Sequence, residues 1–146
     1  MLVAIGSDHA GFEYKELLRK YLAKKDITVI DKGTYLLEPV DYPDYAAKVG
    51  HSVANNEVDF GIVICGTGLG ISIAANKIKG IRAAVVSSAF TAESAKNHNH
   101  ANIIAFGSRV NTIEEVKEYL EIFMKTKESE EERHVNRVNK IQKLEG

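Results

Sequence analysis

Cys65, the only cysteine of the chain, stands directly before Gly66-Thr67-Gly68-Leu69-Gly70. An apolar run, FGIVIC (60–65), precedes the glycines, and a helix-spaced set, Ile71, Ala74, Ala75 and Ile78, follows them. The thiol is therefore expected at the end of a strand and at the mouth of a helix. Glycines allow close backbone approach, and a helix start presents unpaired N–H groups to an anion. The spacing is not the dinucleotide fingerprint GxGxxG. It is not the P-loop either, since no Gly-Lys-Ser/Thr follows, and no acidic residue closes the next strand. The bland alternative is an inert buried cysteine before a tight turn. Against it, a helix N-terminus favours thiolate, and a thiolate can be a nucleophile or a proton acceptor. Amides able to hold phosphate can equally hold a developing oxyanion. A base beside an oxyanion hole is the equipment for taking a proton from carbon next to a carbonyl. In that reading Cys65 is the base, and the amides of Gly66 to Gly70 hold an enediolate.

Other reactive residues fall near strand ends. Asp8 and His9 close the first apolar run; alone they would read as a helix cap and a bystander. His98, Asn99 and His100 precede the fifth run. A His-x-His pair lacks a third and fourth ligand of the right type here, so a metal is not expected. General acid/base work by His98 suits an imidazole, which titrates near ~6.5. Arg109 follows the fifth strand. Arg133 and Arg137 are spaced to share one face of a last helix. Pairing with nearby glutamates is the ordinary fate of such arginines, yet guanidinium forks also match phosphate. His51, inside a helix, is expected at the surface.

The elements that must position these residues alternate in type. Strands are expected at 2–8, 27–31, 60–65, 82–88 and 102–108. Between them, Tyr14, Leu17, Leu18, Tyr21 and Leu22 make one helix face. Pro43 suits the first turn of a second helix that carries Tyr45, Val49 and Val53. AFTAESAKN (89–97) is a small-residue helix. Thr112 and Glu115 form a capping-box pattern before Ile113, Val116, Leu120 and Phe123. A charged hinge, 125–132, leads to a last helix, with Ser129 and Glu132 as its cap and Val135, Val138, Ile141 and Leu144 facing inward. The order predicts an α/β fold: one five-stranded parallel sheet covered on both faces, with no repeat and no domain boundary. Ligands of such sheets bind outside the carboxyl ends of the strands. SDH (7–9), CGTG (65–68), SS (87–88) and GSR (107–109) are those ends, and HNH (98–100) lies just before the fifth strand. The trailing helix has no strand after it and is expected either on a partner subunit or folded back on its own domain.

Bulk composition agrees with a single globular domain. The 146 residues are 45% hydrophobic, with a formal net charge of -1. That balance offers nothing to nucleic acid or to an anionic membrane surface. One cysteine cannot make an intrachain disulfide, which fits a reducing compartment. No leader pattern and no bilayer-length apolar stretch are present, so a cytoplasmic protein is expected.

SDHAGFEYK, DKGT, DYPDYA, ICGTGLGISIAANK, GIRAA, HNHANIIAFGSRV and RHVNRV, in this order and spacing, resemble ribose-5-phosphate isomerase type B. This family also includes the galactose-6-phosphate isomerase subunits. The likeness runs from Leu2 to Ile141, and its CGTGxGxxxAANK block is highly specific. It implies a three-layer α/β/α Rossmann-like sandwich that interconverts D-ribose 5-phosphate and D-ribulose 5-phosphate without cofactor or metal, in the non-oxidative pentose phosphate pathway. It also implies sites at a homodimer interface, often with dimers paired into tetramers. By the same resemblance Cys65 is the proton acceptor, Thr67 assists it, and Gly66, Thr67, Gly68, Leu69 and Gly70 form the oxyanion loop. His98 opens the furanose ring and Asn99 touches the sugar. Asp8 contacts a hydroxyl or the ring, and Tyr42 walls the pocket. His9, Arg109, Arg133 and Arg137 bind phosphate and sugar, the last two from the partner subunit, with His134 nearby. On this account residues 1–146 form one domain, and 128–146 serve the partner's site. The chain departs from the family pattern in two places. Glu131-Glu132 stand where Gly-Gly is frequent, and His100 stands where Asp is frequent. The galactose-6-phosphate enzymes divide their catalytic parts between unlike chains, whereas this chain carries Cys65, His98 and the arginine pair together. That favours a self-sufficient pentose enzyme over a galactose 6-phosphate isomerase, with allose 6-phosphate as a side substrate that needs only somewhat more room. It also favours an enzyme over a non-catalytic sugar-phosphate sensor or a nucleotide-binding regulatory domain.

Overall fold

The computed structural model describes all residues, 1–146. In chain order the elements are β1 (Leu2–Ser7), α1 (Phe12–Ala23), β2 (Thr28–Asp31), α2 (Tyr42–Ala54), β3 (Phe60–Cys65) and α3 (Leu69–Ala75). They continue with β4 (Ala83–Val85), α4 (Ala89–Asn97), β5 (Ile103–Gly107), α5 (Ile113–Lys125) and α6 (Glu132–Lys143). The five strands form one parallel sheet in the order β2-β1-β3-β5-β4.

Both faces of the sheet are covered, which is why its central strands are apolar without alternation. Side chains still alternate in direction. Ile104 and Phe106 of β5 join a core with Leu18, Leu22, Val116, Leu120 and Phe123, beneath α1, α4 and α5. Ile103 and Ala105 join a second core with Ala46, Val49, Val53, Ile71 and Ala75, beneath α2 and α3. Each fully buried Leu, Ile or Phe contributes about 1.5–3 kcal/mol, so the sandwich is held from both sides. Gly61 matters on the second face: a Cβ there would stand 2.6 Å from the Val49 side chain, and its absence lets α2 lie close on β3.

The expected order of elements holds, with two local differences. β4 covers three residues, not seven. Val86 still donates its N–H to Ala105, but Ser88 is already the N-cap of α4, in a reciprocal capping box with Thr91 that turns the chain out of the sheet. At α6, Ser129 does not cap the helix; its hydroxyl accepts the N–H of Glu131, and Glu131 holds the N-cap position without a side-chain cap. Of the face expected to point inward, Val138 is buried together with His134, whereas Ile141 and Leu144 are 44% and 86% exposed. The Thr112/Glu115 capping box of α5 is present as expected. No helix is long and apolar enough to cross a membrane.

The chain steps outward from β1 in one direction and from β3 in the other. That reversal opens a crevice beyond the carboxyl ends of β1 and β3, where residues 7–9 and 65–70 stand side by side.

Candidate active site

Cys65 ends β3 on the α2/α3 side of the sheet and is 4% exposed. Its Sγ receives the Gly68 N–H at 3.1 Å. Gly68 has a φ of 80°, and a Cβ on it would stand 3.0 Å from the Phe106 carbonyl carbon, so only glycine closes this turn against β5. The Thr67 hydroxyl accepts the Leu69 N–H at 3.1 Å and lies at the surface of the same turn. Two bonds from the end of β5 anchor the turn: Ser108 N–H to the Cys65 carbonyl and Arg109 N–H to the Gly66 carbonyl, both 2.9 Å. Arg109 lies over Gly66, with Nη1 3.0 Å from where a Cβ would be. Its guanidinium is exposed and has no carboxylate partner.

The end of β1 supplies the other wall. The Asp8 N–H donates to the Ile64 carbonyl at 3.2 Å, and Oδ1 of Asp8 accepts the Gly11 N–H at 3.0 Å. His9 Nδ1 accepts the Val40 N–H at 3.1 Å. The Tyr42 ring packs on Gly70 so closely that a Cβ there would be 2.5 Å from it. Asp8, His9, Val40, Asp41 and Tyr42 line an open cavity of about 610 Å³. Thus Cys65, Thr67, the glycine turn, Asp8, His9, Tyr42 and Arg109 are brought together at the carboxyl edge, as the sequence suggests.

His98, Asn99 and His100 are not part of that group. α4 runs back from the carboxyl end of β4 to the amino end of β5, and His98 is its C-cap. Cys65 pairs in register with Gly107, and Gly61 with Ile103. Those four residues of strand separate the two edges by about 13 Å, and His98 precedes even Ile103. HNH therefore does not stand beside the carboxyl ends of the strands, contrary to the expectation from sequence, because a turn that enters a parallel strand lies at that strand's amino end.

At this amino edge His98 meets α6. The His98 and His134 rings stack with centroids 4.3 Å apart and planes 10° from parallel. Burial pushes the His134 imidazole below its ordinary range, and the positive neighbours His98 and Arg133 push it the same way. Arg133 and Arg137 are both exposed on α6. Glu131, one of the two departures from the family pattern, accepts from Arg133 Nε at 2.9 Å. Asn99 lines a different cavity of about 620 Å³, together with Ile78, Ile81, Ala101, Ile141 and Leu144. His51 is exposed, as expected.

Sequence reasoning passed over Lys15. Its side chain is fully buried, and Nζ donates to both Asp31 carboxylate oxygens at 2.9 and 2.8 Å and to Glu16 at 2.8 Å. Asp31 in turn accepts the Gly33 N–H at 2.9 Å. The turn so fixed brackets Ser7, which donates its N–H to Gly33 and accepts from Thr34. Lys15 therefore braces the residue before Asp8. A signal existed: Lys15, Leu18 and Leu22 share the buried face of α1 at helical spacing.

The carboxyl-edge group can bind an anion through Arg109 and the turn amides and present a sulfur atom to a bound carbon acid. No three His, Cys, Asp or Glu side chains converge as a metal site would require. Comparison with known proteins identifies the family. A family sequence model described as Ribose/Galactose Isomerase matches residues 3–141. The chain is 46% identical over 143 residues to ribose-5-phosphate isomerase B of Escherichia coli, covering 98% of this chain and 95% of that protein. A solved Clostridium thermocellum ribose-5-phosphate isomerase B superposes with a TM-score of 0.97 at 47% identity, covering 99% of this chain and 97% of that one. The Mycoplasma genitalium ribose-5-phosphate isomerase B with bound ribulose 5-phosphate superposes with a TM-score of 0.94 at 39% identity, over 99% and 95% of the two chains.

Proposed function

The chain belongs to the ribose/galactose isomerase family, and within it we propose that this sugar-phosphate isomerase interconverts D-ribose 5-phosphate and D-ribulose 5-phosphate. The observation that carries the reading is Cys65. Its sulfur lies under the Gly68 N–H, in a turn roofed by the unpaired Arg109 guanidinium and walled by Tyr42. The Escherichia coli and Clostridium thermocellum relatives bear the pentose name, and the Mycoplasma genitalium structure holds the ketose product.

The proposed steps follow from the groups at hand. An imidazole opens the furanose by giving a proton to the ring oxygen and taking one from the C1 hydroxyl; His98 has this role. The Cys65 thiolate then removes the C2 proton of the open aldose. Negative charge moves to O1 and is held by the amides of residues 66–70. The proton returns at C1, a proton passes from O2 to O1, and the ketose results. Thr67 assists beside the base. Asp8 binds a sugar hydroxyl, Asn99 touches the sugar, and His9, Arg109, Arg133 and Arg137 hold the phosphate.

Because His98 and the α6 arginines stand at the amino edge and Cys65 at the carboxyl edge, one chain does not present all of these groups to one substrate. The complete site in this proposal is built between two copies in a homodimer, with His98 and Asn99 now grouped with Arg133 and Arg137 as the partner's contribution. Residues 128–146 act there as the arm of the second copy, and a dimer of dimers is compatible with this arrangement. A cytoplasmic location fits such a metabolic role.

Turnover of ribose 5-phosphate by purified, chelator-treated protein tests the proposal, with allose 6-phosphate and galactose 6-phosphate alongside. Metal-independent pentose turnover is the expected result. Activity confined to a hexose phosphate would keep the enediolate chemistry and move the substrate. Binding of all three without turnover would leave a sugar-phosphate sensor.

A further inference from the structure

His100 lies in the turn that leads into β5, with a positive φ of 49°. That backbone aims its ring at the hinge between α5 and α6. Nδ1 is 3.0 Å from the Glu128 carboxylate, and Nε2 is 3.0 Å from the Ser129 carbonyl oxygen. The side chain is 14% exposed. Neither oxygen can donate a proton. A neutral imidazole therefore leaves one lone pair facing an acceptor, and only the imidazolium satisfies both contacts. The charged groups that face it are Glu128 from the hinge and Arg82 from the head of β4, whose Nε donates to the His100 carbonyl at 2.9 Å.

His100 completes a seam. Asn97 donates its side-chain N–H to the Lys127 carbonyl and accepts the Ser129 N–H on its own carbonyl. At the next residue, His98 stacks on His134. Beyond this seam α6 buries only His134 and Val138 and is tied at its far end by Arg82 to Gln142 and by Gly80 to Glu145. The start of α6, which carries Arg133, is thus located by residues 97–100.

We propose that His100 is a positioning residue for the isomerisation: its ring, held between Glu128 and Ser129, fixes the 127–129 hinge, and so sets where Arg133 and Arg137 stand relative to His98. The proposal rests on the reading of those arginines as phosphate ligands. It locates phosphate binding, not proton transfer, as the step His100 influences.

The test uses the full chain, His100→Gln and Glu128→Gln, from about pH 6 to about pH 8.5, the range over which an imidazole loses its proton. KM and kcat for ribose 5-phosphate are measured, and hydrogen exchange of residues 126–134 is followed on the same samples. At the acid end His100→Gln should raise KM about three-fold, the scale of one partly exposed ion pair, with kcat unchanged. The ratio of variant to parent KM should fall towards one as pH rises. Parent protection at the hinge, corrected for intrinsic exchange, should decline over the same range. Glu128→Gln, whose amide can serve either state of the ring, should flatten that decline. Hinge protection and KM equal to the parent's at every pH would overturn the proposal, as would a variant effect on kcat with KM unmoved. A parent without turnover on any sugar phosphate would sink the isomerase reading instead, and the exchange data would still decide whether His100 holds the hinge.

Discussion

The two edges of the sheet carry reactive groups of similar kind in very different settings. At the carboxyl edge, Cys65 and the glycine turn are bolted to β5 by backbone bonds and by contacts that leave no room for a Cβ at Gly68 or Gly70. At the amino edge, His98 and the arginines depend on a ring stack, a few side-chain bonds and a helix that buries only His134 and Val138. Proton transfer at carbon needs sub-ångström placement, and the rigid edge suits it. Phosphate capture tolerates, and substrate entry requires, an arm that yields. A division of this kind suggests that damage to Cys65 and its turn will fall on kcat and damage to the arginines of the second edge on KM.

The sharpest way to break that contrast is Cys65→Ala. The residue is small and buried, so folding should survive. Isomerisation and exchange of the C2 proton with solvent deuterium should drop by about a thousand-fold, within the range of a lost general base. Retained exchange would remove Cys65 from the mechanism. Mixing variants sharpens the contrast further. Cys65→Ala co-refolded with Arg137→Ala, or with His98→Asn, should regain activity up to about a quarter of the parent, since half the dimers are mixed and each holds one intact site. His98→Asn with Arg137→Ala should regain nothing, because both lesions fall on one edge. Recovery in that last mixture would dissolve the two-edge grouping.

Lys15→Met tests the brace beneath the rigid edge. It leaves the Asp31 carboxylate partly buried without its ammonium partner, and stability should fall by about 3 kcal/mol in denaturant melts. kcat should fall as well, since Ser7 and Asp8 lose their support. A melt and a kcat like the parent's would show that the brace is dispensable. The smallest effect concerns the loose edge. Burial and positive neighbours hold His134 below the ordinary imidazole range. The unfolded chain then takes up this proton first as pH falls, so the stability associated with neutral His134 is complete above about pH 6.5 and declines below it. His134→Gln should show a shallower fall in Tm between about pH 7 and about pH 5 than the parent does. Parallel curves would place the acid sensitivity elsewhere.

Much of this molecule was legible in its sequence, and the failures share a cause. β3 was placed to the residue because six apolar residues run unbroken into Cys65 and its glycines. The box at Thr112 and Glu115 was legible because it is a local bond pattern. The position of HNH was not, because the direction in which a strand is entered decides which edge a preceding turn occupies. Lys15 escaped notice because a buried ammonium is explained only by a carboxylate on another element. The setting of His100 is not legible locally, because its ring lies between Glu128 and Ser129, nearly thirty residues away along the chain. Local periodicity and capping survive translation into one dimension, whereas a partner supplied from a distant element does not.

The bond from Val40 to His9 carries one more consequence. Because Nδ1 of His9 accepts a backbone N–H, the mobile hydrogen of the neutral ring resides on Nε2. That tautomer can give a hydrogen bond to a phosphoryl or hydroxyl oxygen in the crevice, but it has no lone pair there with which to accept one. In the proposed reaction His9 is thereby barred from competing with Cys65 for the carbon-bound proton. The loop through Val40 thus decides which hydrogen bonds His9 can make in the crevice.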